Sequence, residues 1–451
     1  MQTENKMGIM PVNKLIISMS LPMMASMIIQ ALYNIVDSMF VAQINEEALT
    51  ALSLAFPVQN LMIGVATGTG VGMNALLSRS LGEKDADRVG KAASNGVLLS
   101  IIASAVFMLL GIFGSRPFFE IQTDNTLIVE YGVQYLTICT LGAPFLYMSI
   151  IFERLMQATG KTVLSMYTQG LGAITNIILD PILIFVCGWE VVGAALATII
   201  GQFASMLMGI FLNQRFNREV RVSVKKLRLH GETVKRIYAV GVPSIIMVGI
   251  GSLMNYLLNN MLISFFSTTA AAVLGAYYKI QSFAFMPLFG LNNGIVPIIA
   301  YNYGARKRSR INKTIKLVVI YATGIMLTAM AIFQLFPEQL LRMFNASEEM
   351  MKIGIPAFRI ISISYIFAGF CIAVGSVFQA FGRGVLSMIV SICRQLIVLV
   401  PAAYILALLF RDNIDMFWLS FPIAEVMSLA ISLICFIYLY RTLIRHIPDN
   451  K

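Results

Sequence analysis

Charge is scarce in this chain. Its 33 Lys and Arg and 22 Asp and Glu make up 12% of 451 residues, against about a quarter in a soluble domain. With 58% hydrophobic residues and a mean hydropathy of +0.80, that scarcity excludes a water-soluble fold. The two histidines, His230 and His446, lie far apart in basic polar segments, which leaves little raw material for a metal centre or a histidine base. The five cysteines, Cys139, Cys187, Cys371, Cys393 and Cys435, are odd in number and scattered through apolar segments. Neither a disulfide framework nor a metal cluster is indicated. There is no Gly-xxxx-Gly-Lys-Ser/Thr loop, so no recognisable ATPase is present and any energy the chain uses must come from an ion gradient or a partner. The period-two alternation of a membrane β-barrel is missing too.

Long apolar runs are abundant. Gly96 to Gly114, Thr314 to Phe336 and Phe417 to Tyr440 each approach the ~20 residues a helix needs to cross a ~30 Å hydrocarbon layer. The first such run, Leu15 to Val41, contains Asp37 and exceeds the apolar core of a signal peptide, so it reads as a membrane span. Apolar runs between polar breaks predict spans near 14–43, 47–79, 90–115, 126–157, 162–188, 190–216, 234–266, 269–302, 312–336, 347–380, 384–410 and 415–441. The chain is therefore expected to be an all-α membrane protein of twelve transmembrane helices.

The formal charge of +11 is explained by placement rather than by a nucleic-acid partner. With both termini cytoplasmic, the inner segments collect Lys6, Lys14, Arg79, Lys84, Arg88, Lys91, Arg154, Lys161, the stretch Arg215 to Arg236, and Arg306 to Lys316. The outer segments collect only Arg116, Arg342, Lys352, Arg359 and Arg411, as the positive-inside rule requires.

An internal duplication is visible. Gln157-Ala-Thr-Gly-Lys-Thr-Val-Leu-Ser-Met166 matches Gln379-Ala-Phe-Gly-Arg-Gly-Val-Leu-Ser-Met388 at seven of ten positions, an offset of 379 − 157 = 222. The same offset carries Gly68, Gly72 and Gly82 onto Gly290, Gly294 and Gly304, while Pro22 and Asn34 meet Pro243 and Asn255 at 221. Six spans per repeat predict two pseudo-symmetric six-helix lobes facing each other across a cavity, related by an axis along the membrane normal. The lobes are placed at residues 1–216 and 234–451, joined by a basic linker, 217–233. The Gly68/Gly72 and Gly290/Gly294 pairs read as close helix packing within each lobe.

An ionisable side chain inside a span costs at least ~2.5 kcal/mol unless it faces water, a partner or a cavity, so each is a functional candidate. The first half offers Asp37 and Asp180, with Asn176 one turn before Asp180 on the same face. Counted at ~1.5 Å per residue from the outer ends, Asp37, Asp180 and Thr198 lie roughly 10–12 Å deep and Asn176 roughly 18 Å. Two carboxylates, an amide and a hydroxyl suit Na+, and two close carboxylates suit a proton carrier equally well. The positions offset from Asp37 and Asp180 are Leu258 and Ala402, which restricts this site to the first lobe. The second half instead has Lys279, Arg394 and Glu425 near mid-depth, read first as a compensated pair or triad and second as a substrate contact. Tyr33, Asn34, Met254, Asn255, Tyr277, Phe283 and Met286 complete an expected cavity for flat cationic molecules.

These residues resemble the multidrug and toxic compound extrusion (MATE) transporters, in their bacterial multidrug branch, over essentially the whole chain. The resemblance rests on Pro22 to Asp37 in span 1, Asn176-Ile-Ile-Leu-Asp180-Pro181 in span 5 and Gly193-Ala-Ala-Leu-Ala-Thr198 in span 6. It implies a first-lobe cation site on Asp37, Asn176, Asp180 and Thr198, with Na+ or H+ entering against a cationic amphiphile leaving. It also implies rocking lobes and bending of span 1 at Pro22. A multi-pass monomer in the bacterial cytoplasmic membrane, with no cofactor and no enzyme activity, is the corresponding expectation. The alternative is a flippase for a lipid-linked or anionic precursor, which Lys279 and Arg394 would suit. Relatives with second-lobe carboxylates in spans 7 and 10 are not matched, because span 7 has Asn255 and Asn259 instead.

Overall fold

The computed structural model describes residues 5–220, 222, 228–344 and 346–449. Among them the regular structure is helical, apart from one isolated bridge between Lys307 and Asp449. A short α1 (Lys6–Ile9) precedes the first lobe, which comprises α2 (Val12–Ala42), α3 (Glu46–Gly82), α4 (Ala86–Glu120), α5 (Thr126–Leu141), α6 (Ala143–Ala158), α7 (Thr162–Pro181) and α8 (Glu190–Phe216). The second lobe comprises α9 (Gly231–Phe265), α10 (Thr268–Gly304), α11 (Arg308–Leu335), α12 (Pro337–Arg342), α13 (Glu348–Ser362), α14 (Tyr365–Ala380), α15 (Gly384–Ile392), α16 (Val400–Leu409), α17 (Ile414–Trp418) and α18 (Ser420–Thr442). Ten stretches are long and apolar enough to cross a bilayer, and two bent pairs, α5/α6 at 46° and α13/α14 at 51°, make the count twelve.

The duplication extends to backbone geometry. Helices α3 and α10 begin and end 222 residues apart, and so do the bent pairs, since 348 − 126 and 380 − 158 both equal 222. Asn45 caps α3 by accepting from the Ala48 N–H, and Ser267 caps α10 by accepting from the Ala270 N–H. Both are short polar residues in extended backbone, the geometry that an N-cap needs. Lys84 (φ 58°) matches Arg306 (φ 56°) in the turns that follow, and Gly160 (φ 84°) matches Gly382 (φ 74°) after the bent pairs. The break inside spans 4 and 10 was not expected from their apolar runs. In span 4 it falls at Gly142, followed by Pro144 in the first turn of α6, where proline is tolerated; in span 10 it falls at Ile363 and Ser364.

The glycine pairs correct the expectation of packing within each lobe: they pack one lobe against the other. A Cβ on Gly68 would stand 2.8 Å from the Gly241 carbonyl, and one on Gly72 would stand 2.0 Å from that of Ile237, both in α9. Gly290 and Gly294 of α10 meet Met24 and Ser20 of α2 at 2.5 and 2.6 Å in the same way. At the helix ends Gly82 abuts the Tyr301 carbonyl and Gly304 that of Arg79. These close approaches occupy the halves of α2, α3, α9 and α10 nearest the basic loops, so the lobes are shut against each other at that end.

Polar contacts reinforce this closure. Arg154, counted with the basic residues of the inner side, is buried and donates across the lobes to Asn293 at 3.0 Å as well as to Gln157. The segment Asn5 to Met10 straddles both lobes. Asn5 donates to the Thr159 carbonyl (3.1 Å) and to Glu219 (2.8 Å), while the Met7 carbonyl accepts from Asn302 and Arg310, each at 3.0 Å. Of the basic linker, Arg221 and residues 223–227, including Lys225 and Lys226, lie outside the described residues. Val220 is buried in the first-lobe core, and the His230 N–H donates to Asn95 at 2.9 Å.

Gly72→Val is expected to hold the basic end apart, because its Cβ cannot occupy the position of a carbonyl. With cysteines introduced at Leu76 and Arg236, which face one crevice at that end, and the native cysteines replaced by serine, crosslinking should fall roughly threefold or more. Gly170→Val, with open space around its Cβ, should leave the yield unchanged.

Candidate functional site

Helix α7 presents Asn176 and Asp180 one turn apart and ends at Pro181, where the chain widens into a π-helical turn at Ile182–Val186. Asp180 is fully buried and Asn176 is 2% exposed. The Asn176 amide donates to Asp180 Oδ1 and to Thr198 Oγ1 of α8, each at 3.4 Å. Turned over, it would donate to Asp180 Oδ2 and accept from the Thr198 N–H, each at 3.2 Å. In either orientation it ties the acid of α7 to α8. Asp37, from α2, brings its carboxyl within hydrogen-bonding reach of the Asp180 carboxyl, and its buried Oδ1 has no partner among the described residues. Two carboxylates so close repel unless a proton or a metal cation sits with them. Among the described residues no three His, Cys, Asp or Glu side chains converge; the Asn176 amide and the Thr198 hydroxyl are the neutral groups tied to Asp180.

A first-lobe cavity of about 170 Å³ runs from Tyr33, Asn176 and Thr198 toward Glu153, Gln169 and Gln202. Sequence reasoning passed over Glu153, whose carboxylate is 6% exposed and accepts from Gln169 Nε2 at 2.7 Å. Its signal was a Glu-Arg pair interrupting the apolar run before Gln157. Counting Arg154 toward the inner-side charge hid that signal.

The second-lobe residues divide into two groups. Met254, Tyr277, Arg394 and Glu425 line a cavity of about 290 Å³ inside the lobe, with Tyr278, Phe285 and Phe421 as further walls. Arg394 pairs with Glu425 at 3.5 Å. Of the expected pair or triad this is the pair alone, because Lys279 is exposed and stands 6.0 Å from the Phe344 ring instead. Lys279, Phe283 and Met286 do not line that cavity. They fall at i, i+4 and i+7 on a stripe that continues through Gly290 and Gly294, the helix face that meets the first lobe at those glycines. Asn255 follows Ile237, Gly241 and Val248 on the matching stripe of α9, and it accepts from Asn259 at 2.7 Å. Asn34, exposed, follows the Ser20 face of α2. The expected single cavity is thus a pocket in each lobe plus a gap between them.

Pro22 lies within a continuous α2. Proline lacks the N–H that would bond the carbonyl four residues back, and Thr162 Oγ1, at the start of α7, donates to that Ser18 carbonyl at 3.4 Å. The α2 bend point is therefore tied to the helix that carries Asn176 and Asp180. At the equivalent place in the second lobe Gly384 packs against the Ala239 carbonyl without any hydroxyl.

A family model described as MatE matches the chain twice, over residues 22–182 and 243–405. The chain belongs to the MatE family. It is a transporter, not an enzyme. This MatE chain is 28% identical over 434 residues to the multidrug export protein MepA of Staphylococcus aureus (strain MSSA476), covering 96% of the chain and 94% of the relative. Its fold matches a crystal structure of MATE in complex with MaL6 with a TM-score of 0.91 and 25% identity, over 99% of each chain. It also matches the outward-facing conformation of a multidrug resistance MATE family transporter, with a TM-score of 0.91, 24% identity and coverage of 98% and 99%.

Thr162→Val should strand the Ser18 carbonyl at a cost of about 1 kcal/mol. Amide hydrogen exchange over Met19–Met24 is then expected to quicken by roughly fivefold, since local opening becomes easier by that amount. Unchanged protection would show that Thr162 does not hold the bend.

Proposed function

We propose that this MatE chain is a secondary multidrug exporter of the bacterial cytoplasmic membrane, working as a monomer with its basic loops and both termini inside. In this reading Na+ or H+ entering drives cationic amphiphiles out. The observation that carries it is the pair of carboxyls, Asp37 and buried Asp180, joined through Asn176 to Thr198 within one lobe, with Asn176 and Thr198 lining an accessible cavity. A cation taken up there neutralises two acids that repel when empty, and it stabilises whichever lobe arrangement keeps them together. Coupling needs cation and drug to favour different arrangements. The interlobe face with Lys279, Phe283, Met286, Asn34 and Asn255 is the route we assign to cargo, with Pro22 as the point where α2 bends. MepA, called a multidrug export protein, and the multidrug resistance MATE transporter above support the choice of cargo class.

The flippase alternative loses one of its two bases, because Arg394 is turned into its own lobe and paired with Glu425. Only Lys279 of that pair presents positive charge to the gap.

In proteoliposomes carrying a fluorescent organic cation, gradient-driven efflux is expected to fall by roughly tenfold or more in Asp37→Asn and Asp180→Asn. Separately imposed Na+ and proton gradients identify the coupling ion. Undiminished efflux in both variants would overturn the ion site, and movement of a lipid-linked headgroup without movement of the cation would favour the flippase.

A further inference from the structure

The second-lobe cavity has its own chemistry, unrelated to the Asp37–Asp180 pair. The α15 helix opens at its end into a π-helical turn, Cys393–Leu399, which brings Arg394 and Gln395 to the cavity wall. Opposite, α18 presents Glu425, 6% exposed. The pair is poorly closed: Arg394 Nη1 stands 3.5 Å from Glu425 Oε2, whereas a formed charge-assisted bond spans about 2.7–2.9 Å. Glu425 Oε1 has no hydrogen-bond partner among the described residues, with only the weakly polar Cys371 thiol beside the carboxylate. Arg394 keeps 28% of its side chain exposed. An ion pair whose task is only to hold two helices together would be expected to close and to satisfy its remaining oxygen, since each unmade bond to a buried charge is costly. The hydroxyl of Tyr278, on the same wall, also lacks a partner.

We propose that this cavity binds aromatic zwitterions, molecules with a carboxylate and an ammonium a few ångströms apart on an apolar ring body. The carboxylate takes Arg394 and the ammonium takes the Glu425 carboxylate, so four charges end compensated. A pure cation would occupy Glu425 and strand Arg394, and a pure anion would do the reverse; either leaves an uncompensated charge in a largely apolar pocket. The ring body lies among Tyr278, Phe285 and Phe421, whose faces and edges suit aromatic stacking. Tyr277 is held for this by its hydroxyl contact with Tyr365 at 3.1 Å and by edge-to-face packing on Phe421 and Phe358. The cavity, about 290 Å³, lies at the lower end of the range for small-molecule sites. As a role for cargo the proposal rests on the exporter reading; as a binding site it does not.

The test is equilibrium binding to the full chain in lipid nanodiscs, with no gradient, of 2-naphthylalanine, its methyl ester and its N-acetyl derivative. These share one ring body and are zwitterionic, cationic and anionic. The zwitterion is expected to bind roughly tenfold tighter than the other two, as for one charge-assisted bond in a desolvated site. Arg394→Gln should invert the order in favour of the ester, and Glu425→Gln in favour of the N-acetyl compound. A purely structural pair would not produce that inversion. Where a single variant fails to fold, the double variant Arg394→Gln/Glu425→Gln leaves no unpaired charge and should bind all three within roughly threefold of one another. Equal affinities in the unsubstituted chain, absence of binding by all three, or a zwitterion preference that survives the double variant would each overturn the proposal. Efflux of the organic cation under a gradient decides the exporter reading separately.

Discussion

A bilayer interior supplies no water, so any polar group placed there must find its partner within the protein or draw one from solution. The most consequential features of this chain follow from that constraint. The carbonyl released by Pro22 is met by Thr162, and buried Arg154 is met by Gln157 and Asn293. Asp37 and Asp180 are the exception, because their nearest neighbours include each other. Like charges in contact leave a deficit that only a proton or a small cation can fill. That deficit is what makes the site responsive: its energy depends on what the surrounding solution provides, whereas that of a closed ion pair does not.

Much of the architecture was legible in the sequence because duplication preserves shape. The 222-residue offset, read from one ten-residue match and a few glycines, also governs the caps at Asn45 and Ser267 and the left-handed residues Lys84 and Arg306. The convergence of Asn176, Asp180 and Thr198 was accessible from helical periodicity and depth. What stayed hidden depends on which face of a helix meets which neighbour. Gly68 and Gly72 read as packing residues correctly, but no single sequence states that their partner is α9 of the other lobe. Tyr277 and Lys279 are two positions apart, close in any linear reading, yet the turn of α10 buries one inside its lobe and leaves the other exposed. Glu153 was missed for a related reason: an acid next to a base near the inner end of a span reads as part of the charged membrane edge until both side chains are seen to be buried.

The two lobes share a scaffold and differ in nearly every buried charge. Leu258 and Ala402 stand where the first lobe has Asp37 and Asp180, and Gly375 and Ser376 stand where it has Glu153 and Arg154. Conversely the open pair Arg394–Glu425 has no counterpart, since the position 222 residues before Arg394 is Gly172, packed against Gly201. Symmetry is retained where it serves motion. The glycine contacts of α3 on α9 and of α10 on α2 mirror each other, so the basic end closes through two equivalent seams.

The seams set the scale of what a coupling ion has to accomplish. Taking a two-state equilibrium from 1:99 to 99:1 requires about 5.5 kcal/mol of differential binding. A net hydrogen bond contributes about 1 kcal/mol, and one to a charged group about 1.5–3. The polar contacts across the closed end, Arg154 to Asn293 and Arg310 to Met7 among them, therefore hold the closed state by an amount comparable with that requirement. The glycine contacts add many small dispersion terms that vanish together when the backbones part. A single cation site of two acids, an amide and a hydroxyl can supply differential binding of that size only if the approach of α2 to α7 is itself part of the lobe motion. The Thr162 bond to the Ser18 carbonyl fits that condition. It joins the proline of the helix carrying Asp37 to the first turn of the helix carrying Asp180, so bringing the two acids together and setting the bend of α2 become one movement.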